Sequence, residues 1–205
     1  MEDEMMEEFY YYWSMWFLWV LTTFILEKNK TRFFTSAFIL LNIILSMYHV
    51  RLVLFFNAAY LLFYAGAYML GGYAAIHKNM RCLLLHLSMV FAYGFLFLFA
   101  LYDPVWFILK PEWLIIILFV IMTAAFEKSF VNRLALFVLG MCQGELLYSL
   151  IIRKLYDGMV VGGYSWLSMC SAGIVLLYGV SQYERLVHQI HQKWKRLNKG
   201  ATKMS

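Results

Sequence analysis

Glu145 is an acidic side chain set deep in an apolar run, Leu134 to Arg153, with Cys142 three positions before it and Tyr148 and Ser149 three and four after it. Residues three and four apart share a helical face, so these side chains form one small polar patch. An acidic residue near the middle of a membrane-crossing helix costs about 2.5–3.5 kcal/mol and normally faces protein or a wet cavity rather than lipid. Counting inward from the charged ends of the other apolar runs puts Asn42, Tyr60, Tyr93 and Ser171 at comparable depth. With Tyr148 and Ser149 they make a candidate polar intramembrane site around Glu145. Such a site does one of two things: it glues one helix to its neighbours, or it serves as a ligand or proton site whose carboxyl is protonated or held by donors.

Other chemistry is sparse. HExxH, GxSxG, a phosphate-cradling glycine loop and paired aspartates are all missing, so no enzymatic activity is expected. Cys82, Cys142 and Cys170 form no CxxC pair and sit in apolar runs as small hydrophobes. His86 lies near the basic end of its run and should not pair with Glu145. His188 and His191 have no further ligands in view, so neither a metal nor another cofactor is expected.

The elements that must position these residues follow from composition. A chain that is 63% hydrophobic and 14% charged cannot bury its apolar surface in one soluble core of 205 residues. Apolar runs suited to membrane crossing extend over Phe9–Leu26, Phe33–Tyr48, Leu52–Ile76, Cys82–Tyr102, Trp113–Phe126, Leu134–Arg153 and Tyr164–Tyr183. The second and third as one helix would exceed about 60 Å, so a tight turn is expected at His49–Arg51. Asp103-Pro104 ends the fourth run, and Val105 to Glu112 suits a loop resting at the membrane interface. The expected fold is an all-α polytopic transmembrane bundle of seven predicted spans over residues 1–183, followed by a tail over 184–205.

Orientation follows from Lys and Arg placement. With seven spans, one side collects Lys28, Lys30, Arg32, Lys78, Arg81, Lys128, Arg133 and six basic residues of the tail, thirteen in all, against four on the other side. The bias places the C-terminus in the cytoplasm and the acidic N-terminus, MEDEMMEE, outside. Trp13, Trp106, Trp113 and Trp166 then all fall at the outer boundary.

Two small-residue patterns predict close helix approach. Gly140 and Gly144 have GxxxG spacing, and Ala67, Gly71 and Ala75 recur at intervals of four in the third run, so the two stripes are expected to meet. From Gln182 to Leu197 an apolar stripe containing Trp194 is flanked by Arg185, Lys193, Lys195 and Arg196. This basic amphipathic stretch should rest on anionic lipid headgroups or dock a membrane-protein partner. The net charge of +5 is concentrated there and in the short loops, and no nucleic-acid partner is expected.

The opening pattern, Phe9-Tyr10-Tyr11-Tyr12-Trp13-Ser14-Met15-Trp16 through Thr22-Thr23-Phe24 and the basic loop Lys28-Asn29-Lys30-Thr31-Arg32, resembles the YphA-like family of small integral membrane proteins of spore-forming Gram-positive bacteria. The resemblance implies a bacterial plasma-membrane protein without an assigned activity, and it carries over no functional residues. The expected role is a non-enzymatic membrane accessory or interaction protein; the alternative is a small-molecule or proton-coupled carrier or receptor working at the Glu145 site.

Overall fold

In a computed structural model the chain is described over residues 2–25, 28–51, 55–73, 80–153 and 160–201, with 2–4, 72–73 and 193–201 described by backbone alone. The described residues form seven α-helices: α1 (Glu2–Phe24), α2 (Lys30–Leu45), α3 (Ala58–Tyr73), α4 (Met80–Tyr102), α5 (Pro111–Phe126), α6 (Phe130–Ile152) and α7 (Tyr164–Ala201). An apolar chain in lipid must satisfy its own backbone, and a helix does so within one segment. Breaks fall where the sequence supplies them. Asp103 accepts a 3.3 Å hydrogen bond from the Val105 amide as Pro104 opens a short 3-10 turn. Pro111 then starts α5, where its missing N–H costs nothing.

Three helices, Met80–Tyr102, Phe130–Ile152 and Tyr164–Gln192, are long and apolar enough to cross a membrane, while Ala58–Gly71 and Pro111–Phe126 are apolar but shorter. In the most apolar window of α6, 67% is buried inside the protein, against 33% for α4, which makes α6 the central element. It packs against α3, α4, α5 and α7; α1 lies against α2 and α7, and α5 against α4 and α7. The core holds Met15, Tyr60, Met89, Phe119, Phe137 and Trp166. Phe9, Trp13, Phe91 and Phe95 stay exposed on the outside of α1 and α4, as residues bathed in acyl chains can.

The connection between α2 and α3 differs from the expected turn. His49–Arg51 is a strand, β1, antiparallel to β2 (Phe55–Asn57), with His49 opposite Asn57 and Arg51 opposite Phe55. The strand β3 (Val160–Val161) adds to β2 in parallel, pairing Phe55 with Val160 and Phe56 with Val161. Asn57 explains why the chain leaves the helix here. Its Nδ2 donates to the Ser46 carbonyl at 2.9 Å and its Oδ1 accepts from the Ala59 amide at 2.9 Å, closing the end of α2 while capping α3. The third helix therefore begins at Ala58 rather than Leu52.

A second correction concerns the glycine stripe. Gly140 and Gly144 face α4, not the small residues of α3. A Cβ on Gly140 would stand 3.1 Å from the Met89 methyl carbon, and one on Gly144 would stand 2.5 Å from Tyr93 Cβ and Cγ. Ala67 and Gly71 are buried, and Ala75 lies outside the described residues. The bulk of Tyr93 is what requires the bare backbone of α6. The 184–205 tail, for its part, begins without a break, because α7 runs on to Ala201.

Gly144→Ala should cost about 1–3 kcal/mol by overpacking against Tyr93. Gly179, with nothing within 4 Å of its would-be Cβ, should accept Ala within about 0.5 kcal/mol. Melting temperatures of both variants in detergent check the pair: a drop confined to Gly144→Ala is the expected outcome.

Candidate functional site

Glu145 projects from α6 toward α4 and the entry to α7, and only 6% of its surface is exposed. Its Oε2 accepts a 2.7 Å hydrogen bond from the Tyr93 hydroxyl, and its Oε1 accepts a longer one, 3.4 Å, from the Gly162 amide. One acid thus ties three elements: α4, α6 and the β3–α7 connection. Two glycines make room for it. Gly144 lets the Tyr93 ring cross the helix surface, and Gly162 sits at φ 71°, a conformation natural to glycine, where a side chain would run into Tyr60.

Tyr60 belongs to the same wall without touching the acid. Its hydroxyl donates to the Cys142 carbonyl at 2.8 Å, and its ring meets Trp166 edge-on with centroids 4.9 Å apart. Trp166 Nε1 in turn donates to the Met141 carbonyl at 3.2 Å. Two successive carbonyls of α6 therefore carry side-chain donors from α3 and α7. Ser149 is buried one turn beyond Glu145, and its hydroxyl has no hydrogen-bond partner among the described residues; Tyr148 is half-buried with its ring 5.3 Å from Phe97.

Of the four residues expected at equal depth, Tyr93 alone bonds the carboxylate. Asn42 is engaged elsewhere, its carbonyl accepting from Tyr11 at 3.2 Å and its Nδ2 donating to Phe38 O at 3.1 Å. Ser171 accepts from Ser14 at 2.5 Å, joining α7 to α1. Depth counting finds height within a bundle but not bearing around it, and Asn42 and Ser171 face other interfaces. Gln143, between the two glycines, donates to the Tyr68 hydroxyl at 2.9 Å and helps join α6 to α3.

A second polar junction lies at the other end of α6, about 18 Å from Glu145 at 1.5 Å per residue. Arg133 is 4% exposed. Its Nε donates to the Glu127 carbonyl at 2.5 Å, one terminal nitrogen donates to Ala124 O at 3.2 Å, and the other meets Glu184 at 2.7 Å and Ser181 at 3.5 Å. The Glu127 carboxylate accepts from Cys82 Sγ at 2.9 Å and Asn132 Nδ2 at 3.3 Å. The carbonyls that end α5, which have no partner within their helix, are thus taken up by a buried guanidinium. Sequence reasoning had counted Arg133 only as a loop charge. The antiparallel run of α6 and α7, which also sets Met141 beside Trp166 and Phe137 beside Gly173, brings Arg133 to Glu184.

Three helices long and apolar enough to cross a membrane, joined by polar ties between their buried faces, have the make-up of a helical integral membrane protein. The chain belongs to the YphA-like integral membrane protein family, whose model matches residues 7–203. It is 58% identical over 200 residues to the uncharacterized protein YphA of Bacillus subtilis (strain 168), a match covering 98% of this chain and 100% of that one. No solved structure matches it significantly.

Tyr93→Phe and Glu145→Gln should each lower stability by about 0.6–2 kcal/mol, the range for hydrogen bonds between membrane helices. Because the two groups serve one bond, the double variant should lose clearly less than the two losses added together. Unfolding of all four proteins in mixed micelles measures this coupling.

Proposed function

We propose that this is a seven-span protein of the bacterial plasma membrane, N-terminus outside and C-terminus in the cytoplasm, acting as a non-enzymatic accessory or interaction protein. The single observation carrying this reading is the closure of the Glu145 site. Both carboxylate oxygens are committed within the fold, to Tyr93 and to Gly162, and little of the residue is exposed. A carboxylate so engaged serves to hold helices, whereas a carrier must release its polar groups to cargo. The alternative, a small-molecule or proton-coupled carrier or receptor at the same acid, draws support from Ser149, whose buried hydroxyl is unspent one turn away.

The spans and orientation are supported by the thirteen-to-four bias of Lys and Arg between the two sides. With α4, α6 and α7, the helices α1, α2, α3 and α5 make up the count of seven. With no large extramembrane domain among the described residues, a partner protein is met by helix faces, by the outer loop around Asp103–Glu112 or by the basic tail. That tail, with Arg185, Lys193, Trp194, Lys195 and Arg196, also rests on anionic headgroups.

Single-cysteine labelling in intact cells, with the three native cysteines replaced by serine or alanine, checks the orientation. Asp3→Cys should react with an impermeant maleimide and Thr202→Cys should not; labelling of both from outside overturns the seven-span arrangement.

Affinity capture in mild detergent tests the role. Glu145→Gln should keep the partners of the wild type, and truncation after Gln192, which spares the Arg133–Glu184 pair, should lose them. Partner loss with Glu145→Gln, at unchanged expression and with the variant folded at the capture temperature, would transfer the working surface to the buried acid.

A further inference from the structure

A cleft of about 500 Å³ opens where the α5–α6 turn meets the part of α7 that extends past the core, a volume within the range of about 300–1,000 Å³ typical of small-ligand sites. One wall is Lys128 and Phe130; the other is the face of α7 bearing Ser181, Glu184, Arg185 and His188, with Arg133 between them. The charges do not cancel. Glu184, the one carboxylate lining the cleft among the described residues, is held at 2.7 Å by the buried Arg133. That leaves Lys128 on one wall and Arg185 on the other, both exposed and neither ion-paired among the described residues. The amides of Gln189 and Gln192 line the same space and add neutral donors.

The geometry points to a phosphate-binding site: we propose that the cleft between Lys128 and Arg185 binds a phosphate group, either the phosphodiester of an anionic lipid or free phosphate. Cations approaching from two walls suit a tetrahedral anion with acceptors in several directions better than a planar carboxylate, and guanidinium and ammonium groups are the usual phosphate ligands. The Arg133–Glu184 pair is the rigid floor that fixes α7 against the turn. On the far side of α7 the exposed side chains are apolar, Tyr183, Leu186, Val187 and Ile190, so this stretch has a wet, cationic side and an oily one. That two-sidedness suits a helix at the level of lipid headgroups. The site does not depend on which side of the membrane this end faces.

The test uses the full chain in a zwitterionic detergent, titrated with dioleoyl phosphatidylglycerol in one arm and inorganic phosphate in the other. Binding is followed by native mass spectrometry for lipid and calorimetry for phosphate. One saturable ligand is expected in at least one arm. Binding of the lipid alone, of phosphate alone or of both identifies the source. Affinity should fall about fivefold for each of Lys128→Gln and Arg185→Gln, since each nearby cation contributes on that order. Lys30→Gln, outside the cleft, should bind as the wild type does. Both cleft positions are exposed, so unchanged helicity by circular dichroism confirms that the variants fold. Truncation after Gln192 separates the cleft from the remainder of the basic tail and should leave the saturable site intact. Silence in both arms, wild-type affinity in the double variant, or loss of the site on truncation after Gln192 overturns the proposal.

Discussion

Inside a bilayer no water waits to satisfy a polar group, so a buried donor or acceptor without a counterpart in the chain itself is costly. Glu145 shows how far the fold is built around that requirement. Its two oxygens need two donors, and supplying them fixes Tyr93 of α4 and the Gly162 amide ahead of α7 in one place. That arrangement in turn demands bare backbone at Gly144 and a positive φ at Gly162. The packing of α4 on α6 and the entry angle of α7 thus follow from the disposal of one buried acid.

The far end of α6 meets the same demand with the opposite sign. Arg133 neutralises Glu184 and takes up the terminal carbonyls of α5 at Ala124 and Glu127, and Glu127 in turn holds Cys82 and Asn132. Between the two junctions α6 is nearly continuous buried hydrocarbon, from Ala135 to Cys142. A central helix pinned by an acid at one end and a base at the other can neither slide along its axis nor rotate without stranding a charge.

Much of this was legible in the residues. The apolar runs gave the seven helices, the rarity of an acid at depth singled out Glu145, and the aromatic opening with its basic loop indicated the family. What sequence could not supply is bearing around each helix axis. Tyr93, Asn42 and Ser171 are alike as hydrogen-bonding residues at mid-depth, and only packing decides that Tyr93 turns to Glu145 while the Asn42 amide turns back to the Phe38 carbonyl and Ser171 meets Ser14. For the same reason the glycine stripe met α4 rather than α3. The small sheet escaped because its pairing joins residues about a hundred positions apart, Phe56 with Val161, where local periodicity carries no signal. Arg133 was misjudged because loop and helix-start cations read alike until the antiparallel partner is in place.

The lengths of the helices carry one more consequence. At about 1.5 Å per residue the 16-residue helices α2 and α5 each span about 24 Å, whereas the 23-residue helices α4 and α6 span about 34 Å. Were α2 or α5 to cross a membrane, as the proposed seven spans require, the acyl chains beside it would compress to meet it, at a fraction of a kcal/mol per Å of mismatch. A lipid annulus strained on one flank is relieved whenever a neighbour with an equally shallow rim moves in beside it. The elasticity of the membrane itself then selects which protein edge lies against that flank.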